Sequence, residues 1–333
     1  MAPLITNIYT ADPSAHAFNG RVYIYPSHDR ETDIQFNDNG DQYDMADYHV
    51  FSTSSLDPQE TPIDHGVVLK TEDIPWVSKQ LWAPDAAYKN GKYYLYFPAR
   101  DKEGIFRIGV AVGDKPEGPF TPQPEPIKGS YSIDPATFVD DDGEAYLYFG
   151  GLWGGQLQCY QGGHNVFDAS WQGPKEPTGK GVKSLGARVG KLTQDMLEFA
   201  EEGVKDVVIL APETGEPLDA DDHDRRFFEA AWMHKRNGKY YFSYSTGDTH
   251  FLCYAVGDSP YGPFTYGGRI LEPVLGWTTH HSIVEFPEKS DRWWLFHHDC
   301  ELSKGVDHLR SVKVKEIFFD TEGKIHGEKP EEK

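Results

Sequence analysis

"LWAPDAAYKNGKYYLYF", residues 81–97, holds the clue to the whole chain. Its Asn-Gly pair supplies the positive-φ positions of a two-residue hairpin turn. The aromatic run that follows reads as a half-buried strand, and a tryptophan and a proline-flanked acid stand just ahead. The same phrase returns along the sequence. "NGRVYIYPSHD" (19–29), "NGKYYLYFPAR" (90–100), "DDGEAYLYFGG" (141–151), "NGKYYFSYSTG" (237–247) and "SDRWWLFHHD" (290–299) match one another, and four of the five carry Asn-Gly or Asp-Gly. A second repeat joins "VGDKPEGPF" (112–120) to "VGDSPYGPF" (256–264), and "YHVFSTSSL" (48–56) is a looser relative of that later-strand signature.

Repeats of this kind are architecture, because each unit buries its apolar face only against its neighbours. Five units of about four strands predict an all-β chain folded as a five-bladed β-propeller, one domain over residues 1–333. A β-sandwich with chance hairpin similarity is the competing reading. Unit spacing is uneven, and the interval from about 152 to 226 is expected to hold the rest of one blade plus insertions, among them the polar "APETGEPLDADDHDRR".

Composition agrees. Aromatics make up 14% of residues, and 33 Gly and 23 Pro supply turns, a balance that favours strands over helices. A net charge of -21 argues against a nucleic-acid partner, which needs a basic face. No apolar run reaches the length of a membrane span. The opening "MAPLITNIYT" lacks the basic and apolar segments of a secretion signal, so a cytoplasmic location is expected. Cys159, Cys253 and Cys300 have no metal-binding spacing and make no disulfide framework.

Counting back from each turn glycine reaches the chemistry. Nine residues before Gly143 stands Asp134, nine before Gly238 Glu229, nine before Gly91 Trp82, and eight before Gly20 Asp12. The fifth unit places His280 and His281 near the same point. Innermost propeller strands line a common channel, so these side chains converge. Three carboxyls and an aromatic platform suit glycoside hydrolysis: an acid protonates the leaving oxygen and a carboxylate activates water or attacks. Glu229 in apolar "FFEAAW" is framed to stay protonated, whereas Asp12 in polar "TADPSAH" is framed to ionise. His28, at the end of its strand, is a candidate to face the funnel. His297 and His298 read as structural, Asp85 as a local hydrogen-bond acceptor, and Arg225 and Arg226 as partners of the adjacent acidic run.

From "NIYTADPSAHAFNGRVYIYPSHD" through "SIDPATFVDDDGEAYLYFGG" and "FFEAAWMHKRNGKYYFSYS" to "TTHHSIVEFPEKSDRWWLFHHD", the chain resembles the family 43 glycoside hydrolases, five-bladed propellers acting on arabinose- and xylose-containing polysaccharides. The resemblance implies Asp12 as general base, Asp134 as the residue that tunes and orients the acid, and Glu229 as general acid. It further implies Trp82 and Arg310 as sugar contacts. The family's late axial histidine, often beside a bound Ca²⁺ or a water cluster, matches His280 best, with His281 close in register. "TTHHS" departs from the commoner Gly-His pattern. The expected activity is exo-acting and inverting, an α-L-arabinofuranosidase or β-xylosidase working on oligosaccharides or polysaccharides. An endo-acting arabinanase or xylanase on the same fold is the alternative, and a non-catalytic sugar-binding propeller is the alternative from another class.

Overall fold

The computed structural model describes residues 2–277 and 279–329. Five antiparallel sheets follow one another along the chain, each a meander. Blade I is Tyr9–Phe18, Arg21–Asp29, Asp47–Thr53 and Ile63–Lys70. Blade II is Asp85–Lys89, Lys92–Asp101, Phe106–Gly113 and Thr121–Pro122, with the short Val77–Lys79 also paired to its second strand. Blade III comprises Ala136–Val139, Ala145–Phe149, Arg188–Leu192 and Phe199–Asp206. Blade IV comprises Glu229–Arg236, Lys239–Ser245, Leu252–Gly257 and Phe264–Leu271, with Ile209–Leu210 added in parallel at its outer edge. Blade V comprises His281–Glu285, Trp293–Asp299, Ser311–Phe319 and Ile325–His326.

The first strand of each blade packs on the first strand of the next, and His281–Glu285 closes on Tyr9–Phe18. That closed ring is a five-bladed β-propeller. Backbone bonds from Leu4 to Val312 and from Thr10 to Arg310 tie the start of the chain to blade V, so closure does not rest on side-chain packing alone.

Turn chemistry sets the registers. Asn19-Gly20, Asn90-Gly91 and Asn237-Gly238 all hold positive φ at both residues, the conformation a two-residue hairpin of this twist requires. Blade III differs: only Gly143 is positive, and Asp140 donates its N–H to Glu144 across a three-residue loop. Burial follows position in the blade. Lys92–Asp101, flanked by neighbouring blades, is buried on both faces, whereas the outermost Phe199–Asp206 is exposed or half-buried throughout. The core therefore lies between blades.

Candidate active site

The first strands of blades I and IV share an irregularity near their N-terminal ends. In blade I, three steps from Ala11 to Ser14 oppose two from Ser27 to Tyr25; in blade IV, three from Glu229 to Trp232 oppose two from Ser245 to Ser243. Each is a β-bulge, which bends a strand and re-aims a side chain. Asp12 (φ 50), Asp134 (φ 56) and Ala230 (φ 62) all adopt the left-handed region there. Asp12 lies six residues before the last ladder residue Phe18, and Ala230 lies six before Arg236. The equivalence is thus Asp12, Asp134 and Ala230, with Glu229 one residue earlier. This offset explains the count of eight rather than nine in blade I, while the longer turn of blade III conceals the same offset.

Asp12, Trp82, Asp134, Glu229, His280 and Arg310 line one pocket at the mouth of the channel. Asp12 is buried and heavily partnered. Arg310 donates from NH1 to its Oδ1 (3.0 Å), Ser27 Oγ donates to its Oδ2 (2.5 Å), and its backbone N–H donates to His298 Nδ1 (3.0 Å). Burial alone would raise its pKa, but Arg310 first, then His298, His280 and Ser27, bring it down to about 2. Asp29 holds Arg310 from the other side, its two oxygens accepting from the guanidinium at 2.8 Å each.

Asp134 and Glu229 respond in the opposite direction. Burial pushes Asp134 well above the usual carboxylate range, and the charges of Glu229 and Asp12 add to this. Burial, then Asp12, raises Glu229 to about 8, with Arg310 opposing. Two such neighbours do not both ionise. The Ala230 N–H donates to Asp134 Oδ2 at 2.8 Å and favours its charge, while the shielded Glu229 Oε1 has no hydrogen-bond partner among the described residues. The two carboxyls therefore hold one proton between them.

Trp82 turns its indole N–H to the Tyr43 carbonyl (2.8 Å) and packs on Phe106 at 4.6 Å between centroids. Gly40 passes so close that a Cβ there would meet the Trp82 ring at 2.6 Å, which makes glycine necessary at that point of the wall. His280 points its Nδ1 toward Asp12 Oδ1 (3.8 Å) and Asp134 Oδ2 (3.9 Å), whereas His281 lies buried against Ser243 Oγ (2.6 Å). Of the two, His280 faces the pocket.

His28 is not among the residues lining the pocket; its Nδ1 is turned to Asp47 at 2.6 Å. The outward course of the second strand carries it away from the axis. Asp85 is no local acceptor: it takes Ser14 Oγ, His16 Nε2 and the Thr137 N–H, and so joins the first strands of blades I, II and III. Arg225 pairs with Asp222 and Glu213 as expected, but Arg226 is buried and reaches Glu176 and Asp248. Phe36, Tyr43, Trp153 and Trp277 come from loops and complete the walls. No periodic signal marks these four.

Residues 5–325 match the family profile for glycosyl hydrolases family 43. The chain belongs to that family. This family 43 glycoside hydrolase is 85% identical over 331 residues to xylosidase/arabinosidase 43A of Humicola insolens, covering 99% of this chain and 100% of that one. It superposes with a TM-score of 0.93 on a β-xylosidase/α-arabinofuranosidase from a compost microbial metagenome, solved with xylotriose in a calcium-free form; identity is 58%, and 98% and 96% of the two chains are covered. The Xanthomonas citri family member solved with xylotriose gives 0.89 at 54% identity, covering 98% and 92%.

A Ca²⁺ at the axis would find one evident protein ligand in this family 43 enzyme, His280. Burial lowers the His280 pKa to about 4, so the imidazole is neutral, and among the described residues its nearest carboxylate oxygens are 3.8 Å and 3.9 Å away. Calcium prefers six to eight oxygens. Asp12 is already committed to Arg310 and Ser27, so most of the shell would fall to water.

Proposed function

We propose that this enzyme is an exo-acting, inverting hydrolase that releases terminal β-D-xylose and α-L-arabinofuranose from xylose- and arabinose-containing oligosaccharides. One observation carries the reading: an aromatic-walled pocket holds a carboxylate depressed to about 2 facing a carboxyl raised to about 8. Opposed shifts of this kind divide base from acid.

Asp12 stays ionised and takes a proton from the attacking water. Glu229 stays protonated and gives its proton to the leaving glycosidic oxygen. Asp134 is the positioning residue: its charge beside Glu229 holds the proton in place, and its bond to the Ala230 N–H fixes the backbone that carries Glu229. Trp82 offers an aromatic face to the sugar ring. Arg310 keeps Asp12 charged and oriented. A Ca²⁺ bound at His280 would add positive charge beside the carboxylates.

The dual pentose specificity draws on the names of the relatives, and the enclosing aromatic loops support exo action over cleavage within a chain. Initial-rate proton NMR tests the mechanism. A β-xyloside is expected to release α-xylose first, and an α-arabinofuranoside β-arabinose. First release of the substrate's own anomer would make Asp12 a nucleophile and overturn its assignment as base.

A further inference from the structure

Two histidines and an aspartate gather outside the pocket at the top of blade I. One donor atom from each of His28, Asp47 and His49 fits within a set whose members all lie within 4.8 Å of one another. His28 ends the second strand, and Asp47 and His49 begin the third. Asp47 Oδ1 lies 2.6 Å from His28 Nδ1 and 3.9 Å from His49 Nε2, and the two rings meet edge to face at 5.1 Å. All three residues are half-buried, open enough for an ion to enter.

The surroundings orient these groups. His49 Nδ1 sits 3.0 Å from Asp64 Oδ1, which leaves Nε2 turned inward. Asp64 is itself held by the Gly66 N–H and by Asn7 Nδ2, both at 2.8 Å. A carboxylate behind a histidine is the arrangement that fixes the ring of a metal ligand. Pairing is irregular on both sides of His49, so its direction is set by a bulge rather than by the ladder. A bare ion pair of His28 with Asp47 needs neither the second histidine nor the carboxylate behind it.

We propose that His28, Asp47 and His49 form a binding site for Zn²⁺ or a similar divalent transition metal, separate from the axial histidine. Two imidazoles and one carboxylate are a borderline donor set, suited to zinc with a water in the fourth position and poorly suited to calcium. The ion would join the strand that enters loop 30–46 to the strand that leaves it. Phe36, Asn37, Gln42 and Tyr43 of that loop line the sugar pocket, so the metal fastens one pocket wall at its base.

The purified full chain, stripped with chelator, is titrated with Zn²⁺ by calorimetry and with Co²⁺ by visible absorption. One tight equivalent is expected, with the absorption of low-coordinate Co²⁺, and millimolar Ca²⁺ does not displace it. His28→Ala/His49→Ala loses this equivalent, and Asp64→Asn weakens it about 10–100-fold. Zn²⁺ slows hydrogen exchange across residues 30–46 in the wild type but not in the double variant. A metal-free melting curve checks that the variants fold, and imidazole NMR signals of the wild type read the ligands without any substitution. No zinc-dependent shift of His28 and His49, equal binding by a folded double variant, or displacement by Ca²⁺ would each overturn the assignment. Unchanged exchange would overturn the link to the loop.

Discussion

Arg310→Met removes the cation shared by two buried carboxylates while roughly preserving side-chain volume. In the wild type, Arg310 sits 3.0 Å from Asp12 and 2.8 Å from Asp29, and its guanidinium lies 4.8 Å above the Tyr43 ring. It is the leading opponent of burial at Asp12, whose pKa falls from 3.8 to about 2. At about 1.4 kcal/mol per unit, that shift corresponds to roughly 2–3 kcal/mol. The stabilisation is complete above the unfolded value and is lost as pH falls through about 2. Burial already raises Asp29 with Arg310 in place; without the cation Asp29 rises further, and burial carries Asp12 above its unfolded value as well. Their cost is then largest at high pH and shrinks as protons neutralise them. The variant is expected to lose about 3–5 kcal/mol near neutrality. Urea unfolding at a series of pH values reads this directly, with the gap to wild type narrowing toward roughly pH 5. In the same variant the acid limb of kcat/KM moves up, because Asp12 must still ionise to act as base. A stability deficit of equal size at pH 5 and pH 8 would refute the reasoning, since only lost packing behaves that way.

Glu229→Gln is expected to lower kcat/KM on natural oligosaccharides about 10²–10⁴-fold, and less on aryl glycosides whose leaving group needs no proton; near-wild-type rates on xylobiose would remove Glu229 from the acid role. The alkaline limb of wild-type kcat/KM is expected near pH 8, with activity lost as Glu229 gives up its proton. Asp134→Asn keeps an acceptor for the Ala230 N–H but removes the neighbouring charge, so the limb moves to lower pH; an unmoved limb contradicts the coupling. Exhaustive chelation is expected to lower activity and Tm, with recovery on adding Ca²⁺, and His280→Ala abolishes that response; indifference of the wild type to chelator leaves His280 to a water network.

Much of this was legible because hairpin chemistry is local. Asn-Gly dipeptides and alternating aromatic strands write the blade repeat into a dozen residues at a time, and closure of the ring follows from there being five such units. The carboxylates were legible for the same reason, as each stands at a nearly fixed distance from its turn. Their alignment was only approximate, because Glu229 stands one residue before the position that Asp12 and Asp134 share, and the three-residue turn of blade III adds a residue that hides the difference.

What the tertiary structure alone decided lies between distant residues. Asp29 meets Arg310 across 281 positions, and His298 receives the Asp12 N–H across 286. No local pattern encodes such a meeting, because each partner satisfies its own strand whether or not the other arrives. The loop aromatics Phe36, Trp153 and Trp277 are likewise silent in sequence, being chosen by the cavity they wall rather than by any strand period. His28 shows the converse. Its place at a strand end suggested the funnel, and only the outward course of that strand turned it instead to Asp47. The sequence by itself determined the five blades and which carboxyls stand at their axis, since both depend on short-range turn geometry. Which of those carboxyls keeps its proton was decided by burial and by charges delivered from other blades, and these exist only once the ring has closed.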